Sequence, residues 1–233
     1  MKSFIVELKR EDEKKRMIKG VIFDLDGVLV STDEMHFRAW KRLADELGIQ
    51  EFTKEDNKLQ KGVSRLESLE VVLRKGNKFF TMEEKEIYAE LKNRYYIDML
   101  KELNEDAILK DVKETLTMLR EKSILIGVGS VSKNTPMILE KTGLIQWIDE
   151  VSCGLDIKNS KPDPEVFLVA AKKLGLTPKT CLVVEDSAAG VIAAKAAGMR
   201  ALGVGPERSL LKADYQSETL LSDTNWDMML SCG

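Results

Sequence analysis

Between residues 123 and 204 the chain alternates short apolar runs with longer segments whose apolar residues recur at helical spacing, and a further apolar run lies at 20–23. Runs rich in β-branched residues predict strands, and the segments of about 10–15 residues between them predict helices. The predicted strands are 20–23, 123–128, 148–152, 180–184 and 200–204. The predicted helices between them are 134–142, 164–174 and 188–197. Such alternation is typical of βαβ crossovers, so we predict an α/β fold with a doubly wound parallel sheet.

The alternation is interrupted after the first predicted strand by a region without strand runs. Helical patterns occupy 34–47, 64–73 and 82–103, and Ser64 with Glu67 forms a capping-box pair at the start of the second. We therefore predict three units along the chain. They are a charged N-terminal extension at 1–16, an α/β core at 17–32 and 105–233, and an inserted all-helical domain at 33–104.

Composition limits the classes of function. The 36 Lys and Arg residues nearly balance 39 Asp and Glu residues, leaving a net charge of −3, whereas nucleic-acid binders usually show a basic excess. No apolar run approaches the roughly 18 residues of a membrane span. The N-terminus lacks the apolar centre of a signal peptide, so we expect a cytoplasmic protein. Cys153, Cys181 and Cys232 are far apart, and we expect free thiols.

Pairs of acidic residues follow two predicted strands. Asp24 and Asp26 come directly after 20–23, with Gly27 completing a turn, and Glu185 and Asp186 follow 180–184. Ligands of open parallel sheets bind outside the carboxyl ends of the strands. Four carboxylates gathered there would repel one another without a cation, and hard oxygen ligands suit Mg²⁺. A carboxylate beside Mg²⁺ is also a credible nucleophile toward phosphorus.

Two further positions supply phosphate-binding groups. Ser130 ends a predicted strand with a hydroxyl and free backbone amides, and Lys161 stands just before a predicted helix. Taken singly, an Asp-Gly turn, a Lys-Pro pair or a Glu-Asp pair is more often structural. Taken together in the order two acids, Ser, Lys and two acids, they predict a site of phosphoryl transfer.

The segments 23–28, 130, 161–162 and 185–186 resemble the four motifs of the haloacid dehalogenase superfamily of phosphotransferases, and the resemblance extends over residues 18–205. It implies that Asp24 is the nucleophile that becomes an aspartyl-phosphate and that Asp26 is the general acid and base. It implies that Ser130 and Lys161 bind the transferring phosphoryl group. The helical insertion would then be a small cap over the site.

The resemblance also implies a Mg²⁺ cofactor. Its ligands would be Asp24, the backbone carbonyl of Asp26 and Asp186, with Glu185 nearby through water. Two departures from the family pattern lie where the predicted cap joins the core. Ser31 stands before Thr32 where an Asp is common, and Lys110-Asp111 stands where Pro-Gly is usual.

Segments of the predicted cap are similar to those of the β-phosphoglucomutase group within this superfamily. In that group β-glucose 1-phosphate and glucose 6-phosphate interconvert through a bound glucose 1,6-bisphosphate, which is also the activator. The run 61–65 places two cations around a glycine turn and a helix start, which suits a phosphate. The residues implied to grip the second phosphate are Arg65, Ser132, Lys133 and Asn134. Those implied to line the sugar pocket are His36, Trp40, Gly62, Val63 and Lys92.

Simpler roles stay open for several of these side chains. His36, the single histidine, is on a helix face where a structural role is as common as contact with substrate. Trp40 is expected to contribute to the core on one side. Arg65 could pair with an acid on its own helix, Glu67 or Glu70. Lys92 lies in a charged helix and could equally be solvated.

Two alternative functions remain at this point. A Mg²⁺-dependent phosphatase of small phosphosugars or polyol phosphates would share every core residue, and it predicts that Arg65→Ala spares hydrolysis of a simple aryl phosphate. A non-catalytic binding protein on the same scaffold is disfavoured because both Asp24 and Asp26 are present. We expect a monomer whose partner is a small phosphosugar, without nucleic-acid or membrane partners.

Overall fold

The computed structural model describes residues 17–231. They form a six-stranded sheet in the order β3-β2-β1-β4-β5-β6, and all neighbouring strands are parallel. The strands are β1 (Gly20–Phe23), β2 (Leu125–Gly129), β3 (Glu150–Ser152), β4 (Cys181–Glu185), β5 (Arg200–Val204) and β6 (Tyr215–Ser217). The helices are α1 (Asp33–Glu46), α2 (Lys54–Lys58), α3 (Arg65–Lys75), α4 (Met82–Leu100), α5 (Val112–Glu121), α6 (Thr135–Lys141), α7 (Glu165–Lys173), α8 (Ala188–Ala196) and α9 (Trp226–Ser231).

The sheet is covered on both faces, which confirms the predicted doubly wound α/β fold. Strand β1 is buried along its whole length. Its side chains alternate between two apolar clusters, with Val21 and Phe23 in one and Ile22 in the other. A parallel strand buried on both faces must be apolar at every position, which is why residues 20–23 read as a continuous apolar run.

Helix α5 and two short elements, β6 and α9, are absent from the sequence prediction. Strand β6 has only three residues, and Tyr215 is the one large apolar side chain among them, so no apolar run marks it. Helix α9 has six residues, too few for helical periodicity to show, although Trp226 and Met229 are buried in the same cluster as β1. Both elements depend on packing against the sheet rather than on a local pattern.

The predicted helical region contains no strand among its described residues, 33–104. Helices α1, α3 and α4 correspond to the three predicted helices, with α4 ending at Leu100 rather than at 103, and α2 is additional. The predicted capping box is present, since Ser64 Oγ accepts from the Glu67 amide and the Glu67 carboxylate accepts from the Ser64 amide. A separate apolar cluster that includes Trp40 joins these helices. The assignment of 33–104 to a domain of its own stays a prediction.

The helical region leaves and rejoins the core at adjacent points. The Ser31 amide donates to the Ala107 carbonyl over 2.8 Å, and the Leu109 amide donates to the Leu29 carbonyl over 3.0 Å. Val30 and Ile108 form an antiparallel bridge between them. The two connections therefore lie side by side as a short strand pair.

At Lys110-Asp111, the second departure from the family pattern, Asp111 has φ of +66°, in the left-handed region that glycine adopts most easily.

Cys153 and Cys181 are buried free thiols, as predicted. Cys232 and the predicted extension at 1–16 lie outside the described residues. Within residues 17–231, no helix combines the length and apolar character that crossing a membrane requires.

Candidate active site

The residues predicted to carry the chemistry lie at the carboxyl ends of three adjacent strands. Phe23, the last residue of β1, is in register with Val128 of β2 and with Val184 of β4. Asp24, Ser130 and the Glu185-Asp186 pair therefore come to the same edge of the sheet, where ligands of parallel sheets bind. The chain order predicted this gathering, and the structure shows it.

Lys161 lies behind this edge as the centre of a buried ion cluster. Its side chain is 0% exposed, and its Nζ donates to Asp24 Oδ1 and to Glu185 Oε1, each over 2.5 Å. Burial alone would lower the pKa of Lys161, but the charges of Asp24 and Glu185 and the two hydrogen bonds outweigh it and raise that pKa. Lys161 therefore stays charged and partly neutralises the carboxylates.

Carboxylate oxygens of Asp24, Glu185 and Asp186 all lie within 4.8 Å of one another. Burial is the main cause that raises the pKa of Asp24 well above its ordinary value, and burial with the charge of Glu185 raises the pKa of Asp186 to about 6. Both shifts reflect negative charge crowded in a poorly solvated place. A hard divalent cation would relieve this crowding, so the donor set fits Mg²⁺.

Two local features permit this close packing of acids. Gly27 has φ of +85°, and a Cβ added there would lie 2.1 Å from Asp186 Oδ2, so the turn needs a glycine for its conformation and for space. Glu185 Oε2 accepts from the Ser187 amide and hydroxyl, over 2.8 and 2.9 Å. With Lys161 on its other oxygen, Glu185 is held in place behind Asp24 and Asp186.

Lys61, in the run predicted to suit a phosphate, is directed at the acids instead. Its Nζ lies 2.7 Å from Asp186 Oδ2 and 3.5 Å from Asp33 Oδ2. The neighbouring Gly62 sits against the core as well, because a Cβ there would meet Ser187 Oγ at 2.8 Å. Local sequence could not show this, since the partner of Lys61 is far away along the chain. The helical region thus contacts the rim of the acidic cluster.

Replacing Lys61 by Met is expected to tighten Mg²⁺ binding on the order of tenfold, because an ammonium no longer competes for Asp186. Calorimetric titration of the protein with Mg²⁺ measures this directly. The matched control is Lys58→Met, since Lys58 is exposed and, within residues 17–231, pairs with Glu55 alone. Unchanged or weaker Mg²⁺ binding in Lys61→Met would contradict the competition.

Asp26 is turned toward the start of the helical region. Its Oδ1 accepts from the Thr32 hydroxyl, and the Tyr96 hydroxyl lies 2.9 Å from Thr32 Oγ1. Burial raises the pKa of Asp26 to about 6, against a lowering effect of the Thr32 hydrogen bond. A carboxyl group with such a pKa can both give and take a proton near neutral pH. Tyr96 was not among the predicted site residues.

His36 and Lys92 lie close to Asp26. His36 Nε2 is 4.0 Å from Asp26 Oδ2, and His36 Nδ1 is 2.9 Å from Lys92 Nζ. Lys92 is only 3% exposed and lies 4.7 Å from the centres of the Trp40 and Tyr96 rings. Burial, with the charge of Arg65, lowers the pKa of Lys92 well below its ordinary value. The alternative of a solvated Lys92 is wrong.

Two of the residues predicted to bind a second phosphate form hydrogen bonds with side chains of α4. Arg65 Nη1 donates to Glu90 Oε2 over 2.9 Å, so Arg65 pairs with an acid of α4 and not with Glu67 or Glu70 of its own helix. The Asn134 side chain donates to Asn93 Oδ1 over 3.0 Å. Glu90 and Asn93 were missed by the sequence prediction, which had no local signal for them.

A cavity of about 1150 Å³ connects these groups. All the predicted substrate-binding residues line it, including Trp40, which is buried on its other side as expected. Asp24, Asp26, Ser130 and Asp186 line it as well, whereas Lys161 and Glu185 do not. The structure thus brings Asp24, Asp26, Ser130 and Asp186 to the same cavity as the predicted substrate-binding residues.

Comparison with known proteins gives a consistent picture. Residues 21–204 match the model of a family described as haloacid dehalogenase-like hydrolase. The chain is 39% identical over 199 residues to the beta-phosphoglucomutase of Bacillus subtilis, covering 84% of this chain and 88% of that protein. It is 30% identical over 187 residues to a phosphorylated carbohydrates phosphatase of Thermotoga maritima, covering 78% of this chain and 82% of that one.

Among solved structures, a beta-phosphoglucomutase from Clostridium difficile superposes with a TM-score of 0.83 at 38% identity. The superposition covers 88% of this chain and 92% of that one.

Proposed function

The chain belongs to the haloacid dehalogenase-like hydrolase family, and on this premise we propose that it is a Mg²⁺-dependent phosphomutase that interconverts β-glucose 1-phosphate and glucose 6-phosphate. The observation that carries the proposal is that Asp24 and the guanidinium-bearing Arg65 line one cavity. The Asp24 carboxylate can attack a phosphoryl group while the Arg65 guanidinium holds a second phosphate. The relatives named as mutases at 38–39% identity support the same assignment.

In the proposed first step, a carboxylate oxygen of Asp24 forms a bond to one phosphorus of the activator, glucose 1,6-bisphosphate, as the bond from that phosphorus to the sugar oxygen breaks. Asp26 gives its proton to that oxygen, and an aspartyl-phosphate remains on Asp24. Ser130, which lines the cavity, would bind the phosphoryl oxygens, and the charge of Lys161, paired with Asp24, would offset their negative charge from behind Asp24. Mg²⁺, held by Asp24, the Asp26 carbonyl and Asp186, would neutralise charge as the phosphoryl group transfers.

In the second step the 6-hydroxyl of a bound β-glucose 1-phosphate, rather than water, attacks the phosphorus of the aspartyl-phosphate. The bond from phosphorus to Asp24 breaks, and Asp26 takes the proton of the hydroxyl. The resulting 1,6-bisphosphate must reverse its orientation within the site and then transfer its other phosphoryl group to Asp24. This reaction requires a second phosphate site and an interior protected from water. The second phosphate site would consist of Arg65, Lys133 and Asn134. The contacts that Lys61 and Gly62 make with the core would help to exclude water.

A phosphatase of small phosphosugars or polyol phosphates is the second candidate. It would use Asp24, Asp26, Ser130 and Lys161 in the same way, with water as the second nucleophile. The 30% identity to a carbohydrate phosphatase favours keeping it. In either case we propose that residues 33–104 act as a cap, that the substrate is a small phosphosugar, and that the protein works as a cytoplasmic monomer without nucleic-acid or membrane partners.

A coupled assay separates the two candidates. Glucose 6-phosphate is followed from β-glucose 1-phosphate with Mg²⁺ and a trace of glucose 1,6-bisphosphate as activator, while free phosphate is measured in parallel. Fast formation of glucose 6-phosphate with little free phosphate supports the mutase. Release of phosphate without the isomer would replace it with the phosphatase.

Arg65→Ala is expected to lower kcat/KM for β-glucose 1-phosphate about 100-fold, because the phosphate of this sugar occupies the second site while Asp24 carries the transferring phosphoryl group, and it loses a charged hydrogen-bond donor. Hydrolysis of p-nitrophenyl phosphate, whose one phosphate is the group transferred to Asp24, should change less than about threefold. Arg74→Ala, in the last turn of the same helix, is the matched control. Equal losses on both substrates would argue against a role for Arg65 at a second phosphate.

A further inference from the structure

A line of polar side chains crosses from the helical region to the core beside Arg65. The Asn134 side chain donates to Asn93 Oδ1 over 3.0 Å, and Asn93 Nδ2 lies 3.5 Å from Glu90 Oε1. Glu90 in turn accepts from Arg65 Nη1 over 2.9 Å. Asn93 and Glu90 are one turn apart on α4, so a single helix face holds both contacts.

Asn93 occupies a position where an amide is costly unless it is bonded. It is 7% exposed, and burying an amide without partners is unfavourable. Its side-chain oxygen, Oδ1, accepts a hydrogen bond from the side-chain amide of Asn134. Among residues 17–231 the side chain of Asn134 makes no other hydrogen bond. Orientation of that amide thus depends on Asn93.

The ends of this line are two residues of the second phosphate site proposed above. Asn134 stands at the start of α6 in the core, and Arg65 stands at the start of α3 in the helical region. The hydrogen bond between Asn93 and Asn134 therefore joins the helical region to the core. It exists only while α4 lies against the core. Groups fixed in advance bind a ligand at a smaller cost in conformational entropy.

We infer that Asn93 is a positioning residue for the phosphate that binds at the second site: it orients the side-chain amide of Asn134 toward the cavity when the helical region is closed over the core. Glu90, which accepts a hydrogen bond from Arg65, does the same for the Arg65 guanidinium. This inference rests on the proposed function, because a second phosphate is what the site would hold. Asn93 itself need not contact the substrate.

The test is Asn93→Leu, which keeps the side-chain size and removes the amide. The KM for β-glucose 1-phosphate is expected to rise about tenfold, the loss of one oriented hydrogen bond to a charged group. The kinetic constants for p-nitrophenyl phosphate should stay within about twofold, which also shows that the variant is folded. Arg94→Leu, an exposed position next to Asn93 on α4, is the matched control and should leave both substrates unaffected.

A double-mutant cycle distinguishes positioning from a merely structural role. If Asn93 acts through Asn134, then Asn93→Leu in an Asn134→Ala background should raise KM by less than about twofold further. A full tenfold rise in that background, an unchanged KM in the single variant, or equal losses on both substrates would each overturn the inference. Wild-type protein that hydrolyses the aryl phosphate but ignores sugar phosphates would instead refute the proposed function, and the inference with it.

Discussion

Turnover of β-glucose 1-phosphate is expected to fall at least about 10⁴-fold when Asp24 is replaced by Asn. An amide is a poor nucleophile and cannot form the aspartyl-phosphate. It is also a weaker ligand for Mg²⁺ at a site that offers only three side-chain carboxylates among the described residues. Hydrolysis of p-nitrophenyl phosphate should disappear as well, since every reaction proposed for this site begins at Asp24.

Two measurements make this prediction specific. Intact-protein mass spectrometry after mixing with glucose 1,6-bisphosphate should show a phosphorylated wild-type chain and an unmodified Asp24→Asn chain. Asp98→Asn is the matched control, because Asp98 is an exposed residue that pairs with Lys101 on the surface. Near-normal turnover by Asp24→Asn would refute the assignment of the whole site.

Replacement of Asp26 by Ala is expected to cost roughly 10²–10⁴-fold for a sugar phosphate, the usual contribution of a positioned acid–base group. A sugar alkoxide is a poor leaving group and needs the proton that Asp26 supplies. A nitrophenolate leaves readily without one, so the loss for p-nitrophenyl phosphate should be clearly smaller. The difference between the two losses measures the proton transfer itself.

The opposite result would also be informative. Equal losses on both substrates would mean that Asp26 acts through charge or through its Thr32 hydrogen bond rather than as an acid. Thr32→Val tests the second possibility, because it removes the hydroxyl and leaves the Asp26 carboxyl group in place. We expect this variant to lose far less than Asp26→Ala.

The sequence predicted the core of the site because chain order and strand ends determine it. Asp24, Ser130 and Asp186 each follow an apolar run, and parallel strands bring such positions to one edge. Lys161 follows no apolar run; its charge and its place before a predicted helix indicated a phosphate-binding role, but its position between Asp24 and Glu185 is a result of tertiary packing.

Contacts of the helical region could not be predicted in the same way. The partners of Lys61 and Asn93 lie in the core, distant in sequence from both residues. Lys92 has charged and polar neighbours in sequence, which hid its burial beneath Trp40 and Tyr96. Periodicity reports which face of a helix is apolar, whereas these contacts depend on how α4 lies against the sheet.

The strand pair at Val30 and Ile108 brings the two ends of the helical region together. Both covalent links of that region pass through one pair of hydrogen-bonded segments, with Ser31 and Ala107 joined over 2.8 Å. Chain ends this close can be joined by a short turn at little entropic cost. The segment between residues 31 and 107 can therefore differ in length without a change in the order of the strands, because its two ends stay paired at the core.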